Sequence, residues 1–156
     1  MGVAASDLRD SERLHHDVSL RLRDVDQRYT AGRRRLVERL AKLARPVTIP
    51  ELVGGATGLA LSSAYRNLSV LEEVGVVARV HSGAEHARFE LAEDIVGDHH
   101  HHLICESCGR VEDFTVAAKV ERSIEGTLDR VAAEHGFVVT SHSLDLFGTC
   151  EDCTAT

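Results

Sequence analysis

The chain has no tryptophan, only four cysteines and two prolines in 156 residues, and no apolar run near the ~20 residues a membrane-crossing helix needs. The last absence excludes a helical membrane span. No secretory signal precedes the chain and its length can support a core without crosslinks, so a disulfide scaffold is not expected and a cytoplasmic protein is. No His-Glu-x-x-His or similar catalytic motif occurs, which argues against a metal-dependent hydrolase. The two prolines mark one boundary, Pro46 closing a helix and Pro50 opening the next.

All four cysteines fall into two Cys-x-x-Cys pairs, Cys105/Cys108 and Cys150/Cys153, and four consecutive histidines, His99 to His102, lead into the first pair. Thiolate and imidazole are the side chains best suited to borderline metals such as zinc. A two-residue spacing lets one turn aim both sulfurs at one ion, and Gly109 supplies the positive φ such a knuckle needs. Two pairs complete a tetrahedral set. A redox dithiol would leave one pair unexplained, and a purification tag would not be internal and flanked by strand residues. The pairs lie about forty residues apart, beyond the ~15–20 of a zinc ribbon, so the site would join distant elements.

The histidines lead into β-prone residues. In an extended strand His99 and His101 face one way and His100 and His102 the other, so one segment could feed two metal sites. The alternative is a solvated strand end whose histidines merely titrate.

A formal charge of −7 speaks against a generic nucleic-acid binder, but the charge is unevenly spread. Between Arg28 and Arg45 seven basic residues face one acid, Glu38, whereas the chain beyond Phe89 is strongly acidic. One half is suited to meet an anion and the other to hold cations. The alternative for the basic run is a solvated helix face.

Helical periodicity predicts an amphipathic helix over about residues 6–27 and a second one after an N-cap at Thr30, with Leu36, Val37, Leu40 and Leu43 inward. Thr48-Ile49-Pro50 opens a short helix, residues 54–58 form a turn, and Ser62 caps a helix running to about Val74. Two strands, 76–81 and 87–91, then flank a turn. Helix, short helix, helix and hairpin is the order of a winged helix-turn-helix, with 62–74 as recognition helix. Downstream, strands flank the cysteine turn, a helix spans about 116–135 with Val120, Ile124, Leu128, Val131 and Ala132 inward, and a third strand covers 137–147. The fold class expected is α+β: a winged-helix domain (1–92), a hinge (93–98) and a small α/β dimerisation domain with an antiparallel sheet (99–156).

This order of features resembles the ferric uptake regulator family of metal-dependent repressors. The resemblance rests on Arg28-x-Thr30-x-x-Arg33, Ser63-Ala64-Tyr65-Arg66-Asn67-Leu68, the His99–Gly109 block, His135-Gly136-Phe137, Ser141-His142-Ser143 and Phe147-Gly148-x-Cys150-x-x-Cys153. It implies a dimeric repressor with structural zinc on Cys105, Cys108, Cys150 and Cys153. It implies a dimerisation-domain metal on His99, His101, His142 and a helix glutamate, Glu121 in preference to Glu125. It further implies a hinge metal on Glu90, His100 and His102 with a ligand from the DNA-binding domain. For that ligand Pro46, Ala78 and Ala92 stand where relatives often carry a donor, leaving His81, then His86.

The mechanism expected is a population shift, in which hinge metal holds two winged domains at the spacing of a palindromic operator. Ser62, Ser63, Tyr65 and Arg66 would enter the groove, Tyr65 against base edges and Arg66 on phosphates, with Arg28 and Arg33 adding backbone contacts. The sensed ion is iron or zinc, with manganese or nickel also compatible with nitrogen and oxygen ligands. Neither a membrane nor a small organic substrate is expected. The rival readings are a metalloenzyme using the histidines with Glu90 or Glu112, a metal-storage or chaperone protein, and, within the family, a peroxide sensor.

Overall fold

The computed structural model describes residues 5–54, 58–81 and 87–155, so His86 and the tip of the expected wing lie outside the described residues. The chain forms two compact units, Met1–Asp98 and His99–Thr156.

In the first unit, α1 (Ala5–Asp24) and α2 (Ala31–Leu43) precede a two-residue strand β1 (Val47–Thr48), α3 (Ile49–Val53) and α4 (Leu61–Glu73). Strands β2 (Val77–Val80) and β3 (Arg88–Leu91) and the short helix α5 (Glu93–Val96) follow. Helix α2 starts where the Thr30 hydroxyl accepts the Arg33 amide at 3.3 Å. It buries Leu36, Val37 and Leu40 at helical spacing. Ala44, in the left-handed region with φ 46°, stops it two residues before Pro46. These side chains join Val18 and Leu22 of α1, Leu52 of α3, Ala64, Leu68 and Leu71 of α4, and Phe89 and Leu91 of β3 in one apolar core. The sheet order is β1-β3-β2, all antiparallel, with β2 and β3 forming the wing ladder. β1 is too short to be read from periodicity; it exists because Val47 pairs with Phe89.

Two expectations for this unit need correction. Helix α4 begins at Leu61 after Ala60, with no side-chain cap, so Ser62 lies inside the first turn and does not cap it. Its leading amides therefore receive no acceptor from a capping side chain. Arg33, expected on phosphates, is only 8% exposed. Its guanidinium donates to the Arg28 carbonyl and to Gln27 Oε1 (2.9 Å), tying down the turn that leads into α2. Burial also lowers its pKa. Arg28, Ser62, Tyr65 and Arg66 are exposed and Ser63 is half-buried.

In the second unit, β4 (His101–Cys105) and β5 (Val111–Phe114) form an antiparallel pair around the cysteine turn. Helix α6 (Ala118–Glu134) then returns the chain to β6 (Asp145–Gly148), and α7 (Glu151–Thr154) follows. β6 lies beside β4 but runs parallel to it, so this three-stranded sheet, ordered β5-β4-β6, is mixed and not wholly antiparallel. The connection through α6 passes over β4 and enters β6 antiparallel to β5; because β5 is itself antiparallel to β4, β6 runs with β4. The third strand is also shorter than expected, 145–148 in place of 137–147. Helix α6 buries none of its residues in the single chain, and Val120, Leu128 and Val131 of its expected inner face are 38–49% exposed.

Helix α3 carries a reciprocal cap. Thr48 Oγ1 accepts the Glu51 amide at 3.4 Å, and Glu51 Oε2 accepts from the Thr48 amide at 2.8 Å. Burial disfavours the charged Glu51 carboxyl, but the bonds from Thr48 and the cations Arg45 and Arg88 outweigh it and hold its pKa at about 2. A pKa below the unfolded value of about 4.3 adds stability above that pH, which is lost as pH falls toward the folded value. Thr48→Ala should cost about 1 kcal/mol in denaturant unfolding at neutral pH. Glu51→Gln should cost less, because the carboxylate is partly exposed, and its gap from the unsubstituted protein should close between about pH 5 and pH 2. A gap independent of pH would contradict the assigned role of the carboxylate.

Candidate metal centres

Strand β4 and the turn after it organise the candidate ligands. Cys105 ends β4, and its carbonyl accepts the Gly109 amide at 2.9 Å. Gly109 has φ 70°, the conformation expected of a knuckle glycine. The turn is then bolted to β6 by the Glu106 amide, which donates to the Gly148 carbonyl at 2.9 Å. That contact brings Cys150 and Cys153, at the start of α7, against Cys105 and Cys108. The four sulfurs lie within 4.8 Å of one another, and Cys108 Sγ is 3.7 Å from Cys150 Sγ. That is far beyond a disulfide bond and close to the ~3.8 Å edge of a tetrahedron with Zn–S distances of 2.3 Å. All four cysteines are unbridged.

The crowding pulls the thiol acidities apart. Amide donors, first Cys150 (3.3 Å from the sulfur) and then Cys108, bring the Cys105 thiol down to about 6. Hydrogen bonds to the Cys150 and Cys108 sulfurs, followed by burial, push Cys153 up to about 12. Four thiolates cannot share this space unless a cation compensates them, and zinc fits the donor set. Arg110 adds a surface clamp, donating to Glu112 and, at 3.0 Å, to Asp152 of α7.

A second cluster joins His99, just before β4, and His101 on it with Glu121 in the first turn of α6 and His142 before β6. Nε2 of His101 and Nε2 of His142 each lie 2.9 Å from Glu121 oxygens, and His99 Nε2 lies at 3.3 Å. His101 is 1% exposed. The His101 hydrogen bond, opposed by burial and aided by the three imidazoles, lowers the Glu121 pKa. Glu121 Oε1 and His142 Nε2 are nevertheless buried without a hydrogen bond of acceptable geometry. Buried polar atoms left this way are costly, and a divalent ion among them would satisfy both. Glu125, the alternative considered, is exposed and outside the cluster.

The opposite face of β4 carries His100 and His102, with ring centroids 5.1 Å apart. Asp113 of β5 pairs across the ladder with His102, and its Oδ1 lies 4.0 Å from His102 Nε2. Sequence reading missed Asp113. Counting outward from the cysteine turn would have found it, because Ile104 opposite Val111 puts His102 opposite Asp113. It also missed Asp145, whose Oδ1 lies 3.1 Å from His102 Nδ1.

In the first unit Glu90 is 8% exposed on β3, opposite Ala78. His81 is exposed just past β2, three residues beyond Ala78. His81 follows the end of β2 and is not among the residues grouped with Glu90 as possible ligands of one ion, so the fold lends its assignment as the fourth hinge ligand no support.

The profile of the ferric uptake regulator family matches residues 24–147. The chain is 31% identical over 140 residues to the ferric uptake regulation protein of Legionella pneumophila, covering 86% of this chain and 97% of that one. The chain belongs to the ferric uptake regulator family. It is accordingly a metal-responsive transcriptional regulator, and the family is one of regulators and not of enzymes. Among solved structures, the Vibrio cholerae ferric uptake regulator superposes with a TM-score of 0.65 at 29% identity, covering 83% of this chain and 96% of that one. The Helicobacter pylori regulator, described as having three functional metal binding sites, shares the fold with a TM-score of 0.71 at 21% identity over 92% and 93% of the two chains. Membership in this family accounts for the winged-helix order of the first unit and the cysteine-bolted sheet of the second.

Removing one sulfur should be felt by the whole second unit, because structural zinc contributes directly to folding. Cys108→Ser should lower zinc content by one ion per chain and reduce the melting temperature, read by elemental analysis and calorimetry. Full zinc with an unchanged melt would refute a four-sulfur site. Glu121→Ala should remove a different ion and leave the cysteine-bound one in place.

Proposed function

We propose that the protein is a cytoplasmic repressor that binds palindromic operator DNA as a metal-loaded homodimer. The observation that carries this reading is the ladder on β4, which delivers His101 to one ligand set and His102 to another. In this reading Cys105, Cys108, Cys150 and Cys153 hold structural zinc, and His99, His101, Glu121 and His142 hold a second ion. His100, His102 and Asp113, together with Glu90 of the first unit, hold the sensed ion. The second and third sets offer nitrogen and oxygen only, which suits iron or zinc and also admits manganese or nickel.

A divalent ion in the third set would supply a positive centre for these imidazoles and carboxylates, and its binding would shift the population toward the DNA-binding arrangement. The shift is as large as the affinity difference between arrangements, and no larger. Exposed Tyr65 and Arg66 on α4, together with Arg28, then meet the DNA, while Arg33 holds the start of α2. The uncapped amides of α4 suit a phosphate, since a helix N-terminus favours an anion.

The dimer reading is supported by apolar surface on the second unit. Phe137 is 71% and Val138 89% exposed, beside the unburied face of α6. Exposed apolar area of this extent marks an association surface, and a two-fold would cover it with its own copy.

In sedimentation the protein should run at twice its 17.0 kDa chain mass, and Val131→Glu with Val138→Glu should shift it to the monomer without loss of cysteine-bound zinc. In gel shifts, divalent metal should raise affinity for a palindrome by at least tenfold, a coupling of about 1.4 kcal/mol. Affinity indifferent to metal, or a monomer that binds the palindrome equally well, would overturn the proposal.

A further inference from the structure

The contact between Asp145 and His102 is used by none of the ligand sets above. Asp145 opens β6, and the parallel register sets it beside His102 of β4. The backbone is fixed there by the His102 amide, which donates to the Leu144 carbonyl at 3.3 Å. Both side chains thus leave paired strands toward the same face, and Asp145 Oδ1 reaches His102 Nδ1 at 3.1 Å. The other ring nitrogen, Nε2, points toward Asp113. The His102 side chain is 11% exposed, so its ring is held on one edge by Asp145 and on the other faces the candidate metal position.

A carboxylate accepts hydrogen bonds and does not donate them, so the proton of a neutral His102 ring facing Asp145 must sit on Nδ1. A neutral imidazole in water favours the opposite tautomer, with its proton on Nε2. That form would occupy the atom aimed at Asp113 and remove its lone pair. We propose that Asp145 is a positioning residue that fixes His102 in the Nδ1–H tautomer and thereby keeps Nε2 unprotonated, its lone pair directed at the regulatory ion. This rests on the reading of His102 as a ligand. The opposite face of the ladder is built differently, because His101 Nδ1 is buried with no hydrogen-bond partner. One arm of the ladder is oriented from behind before any ion arrives, and the other is not. Partners of this kind behind a ligating histidine raise its basicity and hold its plane.

The test uses the full chain with its cysteine-bound zinc retained and other metal removed by chelator. Ring nitrogen–proton correlation spectra should show His102 protonated at Nδ1 in the unsubstituted protein. Asp145→Ala should move the ring toward the Nε2–H form and weaken Mn2+ binding, followed by calorimetric titration, by about 10–100-fold. Asp145→Asn keeps an acceptor oxygen and should restore most of both. Cysteine-bound zinc content and the melt report whether each variant is folded. His102 protonated at Nε2 in the unsubstituted protein would overturn the inference, as would Asp145→Ala with unaltered Mn2+ affinity. Asp145→Asn as weak as Asp145→Ala, with the native tautomer kept in both, would make Asp145 a direct ligand and also overturn it. His102→Ala separates the two layers. If it leaves Mn2+ binding unchanged, the ligand reading itself fails. If it abolishes binding while Asp145→Ala does not, only the positioning role fails.

Discussion

Side chains on a β-strand alternate between its two faces, and β4 turns that constraint into the organising feature of the second unit. Four successive imidazoles cannot all reach one ion from an extended backbone. They divide, with His101 going to Glu121 and His142 and His102 going to Asp113 and Asp145. The strand is pinned on both edges, by β5 through an antiparallel ladder and by β6 through a parallel one. A rotation of its backbone that improved one ligand set would therefore disturb the other.

The cysteine site secures the same strand at its far end. Cys105 terminates β4, and its partners in α7 arrive only because β6 lies beside β4. This accounts for a spacing between pairs too long for a ribbon. The site does not close a local loop; it fastens the end of the chain to the middle strand of the sheet. Such a fastening matters because the second unit buries little. Among its described residues only Ile104, Cys105 and Val111 are buried hydrophobics, whereas the first unit packs helices α1 to α5 and a wing on a continuous apolar core. A unit so thinly cored depends on coordination and association for what apolar burial supplies elsewhere.

Charge divides the chain along the same boundary. The arginines at the start of α2 do not all face solvent: Arg33 turns inward to Gln27 and the Arg28 carbonyl, and Arg34 sits over the Tyr29 ring and 3.7 Å from Glu38. A basic run read as one surface is thus partly structural, since a buried guanidinium can satisfy several backbone and side-chain acceptors at once.

Much was legible before any coordinates, and for physical reasons that act locally. Thr30 and Thr48 as helix-opening residues, the apolar stripe of α2, the wing strands, the Gly109 knuckle and the alternation of the histidines all follow from backbone geometry within a few residues. Asp113 and Asp145 as neighbours of His102, the parallel course of β6 and the inward turn of Arg33 do not. Each depends on which strand lies beside which and in what register, and register is set by packing across the whole unit. The residues alone determined what chemistry this protein carries, because ligand type and spacing are written in the chain. Tertiary structure decided which donors meet, because residues some 40 apart become neighbours only when strands pair.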